Sequence, residues 1–166
     1  RFSGAEFMSW DDDIKNRTPS ALSKYQEAYS NEVGFYKYIQ YKFFAQWNEL
    51  KAFANKNGVK IIGDIPIYTA MDSSDVWANR ELFDIDANCV PLTVAGCPPD
   101  GFSENGQLWG NPTYRWENHK KTGYEWWKKR LSRCFDMYDV VRIDHFRGFD
   151  EFYAVPYGEE TAKKGN

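Results

Sequence analysis

The sequence predicts an α/β fold built on a strand–helix–strand unit with parallel strands, and three observations lead there. Two short runs, Val59 to Ile67 and Val140 to Ile143, are apolar and rich in β-branched residues, the pattern of strands buried in a sheet. A long helical period stands ahead of the first run. A shorter helical period precedes the second, and two strands joined through a crossover helix run parallel. Two strands cannot cover both faces of such a sheet or hide its edges, so further strands and a larger parent fold are expected.

Along the chain, residues 1 to 17 have no clear period and place Trp10 ahead of the acidic run Asp11-Asp12-Asp13. Thr18-Pro19 predicts a helix start, with the hydroxyl capping free amides and Pro where its missing N–H costs nothing. Leu22, Tyr25 and Tyr29 give that helix one apolar stripe. Tyr36, Ile39, Phe43, Trp47, Leu50 and Ala54 then recur at spacings of three and four, widened by Phe35 and Phe44. They predict a long amphipathic helix whose stripe packs as core. Asn57-Gly58 ends it with a residue able to take positive φ. In the strand that follows, Asp64 is the anomaly: a carboxylate inside an apolar run is either a paired structural charge or part of a site. Pro66 removes a ladder donor and marks the strand's approaching end.

From Thr69 to Thr113 there is no sustained period, and a segment this long without regular structure is usually functional or disordered. Its aromatic residues argue against disorder. Asp72-Ser73-Ser74-Asp75 is placed to cap a short helical turn through Val76-Trp77-Ala78. Asp84 to Asn88 mimics the opening of a calcium loop, but Cys89 stands where Gly is needed and Ala95 where the bidentate Glu belongs, so that site is rejected. Gly96 to Phe102 and Gly106 to Pro112 read as rigid turns presenting Phe102, Gln107 and Trp109. A ring flanked by amide side chains suits a pyranose, which offers a face to stack on and hydroxyls at its edge.

Trp116 to Lys121 predicts a short helix broken by Gly123. Thr122 and Glu125 have the spacing of a capping box for the next one, whose inner face is Trp127, Leu131 and Cys134. Beyond the second strand, Phe149 to Tyr157 reads as extended or loop, and the polar tail from Gly158 to Asn166 as frayed.

The chemistry concentrates in Val140-Val141-Arg142-Ile143-Asp144-His145-Phe146-Arg147-Gly148. Side chains alternate along a strand, so Val140, Arg142 and Asp144 share one face while Val141 and Ile143 take the other. A guanidinium two residues from a carboxylate, where the apolar run stops, is either a structural ion pair or an ionised nucleophile held by its neighbour.

A formal charge of -3 and a pI near 5.5, with no basic stripe, argue against a nucleic-acid partner. Aromatic residues make up 18% of the chain, which means either a heavy aromatic core or rings kept for a ligand, with core the default. Cys89, Cys97 and Cys134 are odd in number and lack metal-ligand spacing, so a reducing, cytoplasmic setting is expected. With only His119 and His145, no zinc site is expected, nor any other metal or cofactor. No apolar run approaches a membrane span. The chain begins Arg1-Phe2-Ser3 without an initiator Met, and an internal fragment is expected.

These motifs resemble the 4-α-glucanotransferases (amylomaltases, disproportionating enzymes) of glycoside hydrolase family 77. The resemblance covers essentially the whole chain. It rests on Trp10-Asp11 with Asp13 to Arg17, Gly63-Asp64-Ile65-Pro66-Ile67-Tyr68, Asp75 to Asn79, Gly106 to Pro112, and Val141 to Gly148. It implies a partial (β/α)8 TIM barrel, with Val59 to Ile67 and Tyr138 to Asp144 as its third and fourth strands and residues 69–113 as a long loop over the active site. By resemblance, Asp144 matches the nucleophile, Arg142 the residue that orients it, and Asp64 a polar contact to the transferred sugar. His145, Gln107 and Trp109 match positions lining a glucan cleft, with Asp100 and Phe102 on its flexible rim. Gly101 departs from the aromatic residue many members carry there.

The implied chemistry is a retaining double displacement on α-1,4-glucans and maltooligosaccharides. The implied acid/base Glu and a further Asp lie on later strands, beyond Asn166. Glu104 and Glu151 sit in no motif of that role, so the chain alone is expected to be inactive without the remainder of its polypeptide. The rival readings are a non-catalytic glucan-binding fragment, using Trp109 and Phe102 as platforms, and a hydrolase of the α-amylase group.

Overall fold

The computed structural model describes residues 2–166 as a mixed α/β chain. Its regular elements are α1 (Asp12–Lys15), α2 (Pro19–Ala28), α3 (Ser30–Lys56), β1 (Ile62–Pro66), α4 (Ser74–Ala78), β2 (Thr93–Cys97), β3 (Gln107–Pro112), α5 (Trp116–Lys121), α6 (Glu125–Met137), β4 (Val140–Asp144) and β5 (Tyr153–Pro156), with short 3-10 turns between some of them. None of the helices is long and apolar enough to cross a membrane, among the described residues. The chain forms two compact units, one of residues 2–10, 66–125 and 143–166, the other of residues 11–65 and 126–142.

The second unit is helical apart from most of β1 and the first residues of β4, which pair with each other. Thr18 caps α2 as expected, its hydroxyl accepting from the Ala21 amide at 3.3 Å. Gly58, at φ 77°, closes α3 in the left-handed conformation that needs no Cβ. Trp47 donates its indole N–H to the Met137 carbonyl at 2.8 Å, and the Lys51 ammonium reaches the Asp136 and Tyr138 carbonyls at 3.1 and 3.2 Å. Those carbonyls lie at the C-terminal end of α6, where a cation satisfies free acceptors and the negative end of the helix dipole.

The expected stripe of α3 is helical but is not core. None of its residues is buried; Tyr36 is 61% exposed and Leu50 54%. A helix needs a facing layer to bury its stripe, and within this unit Trp47, Phe44 and Ala54 reach only partial cover.

The amides of Asp139 and Val140 donate to the Ile61 carbonyl at 2.9 and 3.2 Å, and further along Asp64 pairs with Arg142. Residue numbers rise together on both strands, which only a parallel pair allows. Burial on both faces was expected and is not found: β1 alternates, with Ile62, Asp64 and Pro66 exposed and Gly63 buried. Gly63 is buried because the Tyr138 ring lies where its Cβ would be.

The first unit holds most of the fully buried side chains, among them Phe7, Ile67, Val76, Phe83, Cys89 and Val155. Segment 69–113, expected without sustained regular structure, contains α4, β2 and β3. Ser73 caps α4, accepting from the Val76 amide at 3.2 Å. β2 is the middle strand of an antiparallel sheet in the order β3-β2-β5, with Val94 opposite Val155 and Gly96 opposite Leu108. A β-bulge between Val94 and Gly96 breaks the period-two alternation that would have marked these strands.

α5 spans the expected residues. Thr122 does not open a capping box, since its hydroxyl donates back to the His119 carbonyl at 3.0 Å and closes α5 instead. The tail is not frayed: Asn166 and Ala154 exchange backbone bonds at 2.9 and 3.0 Å, and Ala162 is fully buried.

Candidate active site

The strand β4 presents its residues as its alternation requires. Val141 and Ile143 are half-buried, while Val140, Arg142 and Asp144 are exposed on the other face. Asp144 therefore ends the strand as an exposed residue. Arg142 pairs with the carboxylate of Asp64 on β1, with side chains 60% and 54% exposed. Asp64, the carboxylate in an apolar run, is thus paired and on the exposed face of β1.

Directly after Asp144 the backbone turns sharply. His145 takes the left-handed conformation, at φ 56° and ψ 45°, and leads into a 3-10 turn, Phe146–Phe149. Few non-glycine residues hold that conformation, and they do so where surrounding contacts define it. Here His145 meets Trp109 edge to face, with centroids 5.0 Å apart and planes at 83°. Its half-buried ring leaves Nε2 without a hydrogen-bond partner among the described residues. Trp109 sits on β3, and its indole N–H donates to the Gln107 side-chain oxygen at 3.0 Å. Two strand residues of one face, 107 and 109, thus form a flat ring with an amide at its edge.

Asp100 and Phe102 lie in the connection between β2 and β3. The Asp100 carboxylate accepts from the Phe102 and Ser103 amides, both at 2.8 Å, so it builds the turn itself. That turn holds Phe102 in full solvent exposure. Glu104 meets Lys163 at 3.4 Å and Glu151 meets Arg147 at 2.9 Å, both as surface ion pairs. A cavity of 660 Å³ opens beside His145, lined also by Gly96, Cys97, Arg147 and Tyr153. Neither Asp144 nor Trp109 lines it.

The structure thus gathers Asp64 with Arg142 in one unit, and Gln107, Trp109 and His145 in the other. Two contributors escaped sequence reasoning. Tyr68 is buried against Trp109 and His145, and Gly148 sits under both Tyr68 and His145. Both stood inside the motifs already noted, but an aromatic residue at a strand's end and a glycine in a turn carry no mark of contact to each other.

The model of the 4-alpha-glucanotransferase family, glycoside hydrolase family 77, matches residues 1–166. The chain is 50% identical over 166 residues to the 4-alpha-glucanotransferase of Clostridium butyricum, covering 99% of this chain and 34% of that protein. It is 46% identical over 162 residues to the 4-alpha-glucanotransferase of Aquifex aeolicus, covering 98% of this chain and 33% of that one. Among solved structures, amylomaltase from Streptococcus agalactiae in complex with acarbose is similar, at a TM-score of 0.95 and 43% identity over 99% of this chain and 34% of that one. This chain spans about a third of the length of the curated relatives it matches. With the match running from end to end, the chain belongs to the 4-alpha-glucanotransferase family.

Proposed function

We propose that this chain is the nucleophile-bearing part of a 4-α-glucanotransferase that moves α-1,4-glucan segments between maltooligosaccharides by a retaining double displacement. The observation that carries the reading is the exposed Asp144 at the C-terminal end of β4, directly before the sharp turn at His145. In this reading β1 and β4 are the third and fourth strands of a (β/α)8 barrel, whose catalytic groups stand at such strand ends. The parallel pairing of β1 and β4 and the uncovered stripe of α3 support a larger parent, as does the share of its relatives' length that the chain spans. Residues 69–113 form the loop over the active site.

Asp144 attacks the anomeric carbon of the donor glucan, and the bond to the leaving sugar's oxygen breaks as that oxygen takes a proton. A hydroxyl of a second sugar then opens the glycosyl-enzyme, displacing the Asp144 carboxylate. By resemblance to the family, Arg142 orients the nucleophile, and Asp64, its ion-pair partner, hydrogen-bonds the sugar being transferred. Trp109 supplies a stacking face and Gln107 an amide at its edge, while His145 lines the cleft with its ring against Trp109. Asp100 and Phe102 form the rim. The substrate class is supported by the acarbose in the Streptococcus agalactiae structure. The resemblance to the family puts the proton donor, a Glu, on a later strand in the remainder of the same polypeptide; Glu104 and Glu151 are engaged in surface ion pairs.

The test is maltotriose disproportionation by the full-length protein, followed by product chain length. Asp144→Asn should abolish turnover while maltoheptaose still binds, since it removes the nucleophile but little volume. Loss of binding together with loss of the fold would return Asp144 to a structural role, and glucose released without longer products would make water the acceptor.

A further inference from the structure

We infer that Tyr68 is a positioning residue for this site, setting the placement of His145 and Trp109 through its ring. The inference rests on the function proposed above. Tyr68 is only 6% exposed and lies 6.2 Å from the Trp109 ring and 6.3 Å from the His145 ring, centroid to centroid. Since Trp109 and His145 are themselves in contact at 5.0 Å, the three rings close a triangle with Tyr68 at its buried corner. Tyr68 is in turn backed by Tyr114, stacked at 5.9 Å with an interplanar angle of 20°. The Tyr114 hydroxyl donates to the Ile67 carbonyl at 2.6 Å, tying that backing ring to the residue just before Tyr68.

Gly148 packs against the same group. A Cβ there would lie 2.9 Å from Ile67 Cδ1 and 3.2 Å from both the Tyr68 hydroxyl and His145 Cδ2. A side chain at residue 148 would press on Ile67, Tyr68 and His145 together, so the bare glycine lets the turn after His145 close on these side chains. His145, held left-handed, and Trp109, on a strand, are thus braced by one shared wall.

The phenol's oxygen is not what the wall uses. It has no hydrogen-bond partner among the described residues, and burial pushes the Tyr68 pKa up to about 12, so the group stays neutral. Packing geometry is what remains, and that belongs to the ring. A displaced wall would loosen the hold on sugar before it altered the attack by Asp144.

The experiment is steady-state kinetics of the full-length protein on maltotriose, with thermal unfolding alongside. Tyr68→Leu should raise KM about tenfold with a much smaller change in kcat, and Tyr68→Phe should restore most of that loss. Gly148→Ala, whose Cβ would press on Tyr68 and His145 directly, should raise KM in the same direction. It also decides the matter if Tyr68→Leu does not fold. Wild-type KM in the folded fraction of Tyr68→Leu, or in Gly148→Ala, would reduce Tyr68 to a core residue and overturn the inference. So would a Tyr68→Phe defect as large as that of Tyr68→Leu, which would mean the hydroxyl acts directly. Absence of disproportionation in the wild-type protein is a different result, counting against the proposed function itself.

Discussion

Phe83, in the unit of residues 2–10, 66–125 and 143–166, is 0% exposed, whereas Phe53, on α3 of the other unit, is 68% exposed. The two phenylalanines differ in what their neighbours can close around. Phe83 packs against Tyr114 at 5.3 Å, and Tyr114 in turn touches Tyr68, Trp116 and His119. α3 is one long cylinder held at a few points: the Trp47 indole, the Lys51 ammonium, and Arg133 stacked 3.8 Å from the centre of the Phe44 ring. Regular secondary structure and buried area are separate properties, and only the second draws heavily on the hydrophobic effect.

The sharpest way to break that contrast is to empty the packed side. Phe83→Ala should destabilise the 166-residue chain by about 3–5 kcal/mol, read from urea unfolding, because it leaves a cavity where the ring packed. A loss no larger than that of a surface change would mean the first unit is not tightly packed. Within the helical unit, the tight point is Gly63 against Tyr138. Gly63→Ala should cost about 1–3 kcal/mol, and pairing Gly63→Ala with Tyr138→Ala should recover part of it.

Acid should separate the units by order of loss. Burial holds the His119 pKa below its ordinary value of 6.5, so the unfolded chain takes up a proton that the folded chain resists. The stability linked to His119 is complete above pH 6.5 and falls as pH drops through its lowered folded value. Asp139 titrates later. The Ile61 amide and the Asn55 side chain, each at 2.8 Å, hold its carboxyl below the ordinary 3.8, so its contribution persists until the pH falls below that range. Hydrogen exchange, corrected for intrinsic rates, should show amides around α5 losing protection at higher pH than those around Ile61. The reverse order would break the comparison. The smallest effect belongs to Phe53→Ser, expected within about 0.5 kcal/mol in this chain. A larger cost would mean that α3 has cover in solution.

What could be read in advance follows the range of each interaction. The caps at Thr18 and Ser73, the glycine stop at Gly58 and the bounds of α5 all depend on groups a few residues apart. They stood in the sequence. β2 pairs with β5 through Val94 and Val155, and the tail is secured through Ala154 and Asn166, contacts that no local pattern announces. Thr122 misled because one hydroxyl can serve the helix before it or the helix after it, and the His119 carbonyl won. At the site, the exposed face of Arg142 and Asp144 was legible from strand alternation alone. The pairing of Arg142 with Asp64 and the grouping of Tyr68, Trp109 and His145 were not.

By itself, then, the sequence determined where helices start and stop, which face of β4 bears charge, and to which family the chain belongs. The tertiary structure decided which apolar stripe is covered, which carboxylate Arg142 meets, and which rings brace the turn after Asp144. The division has a physical cause: backbone hydrogen bonds and side-chain alternation are set by neighbours along the chain, while burial and ion pairing depend on segments that only folding brings within reach.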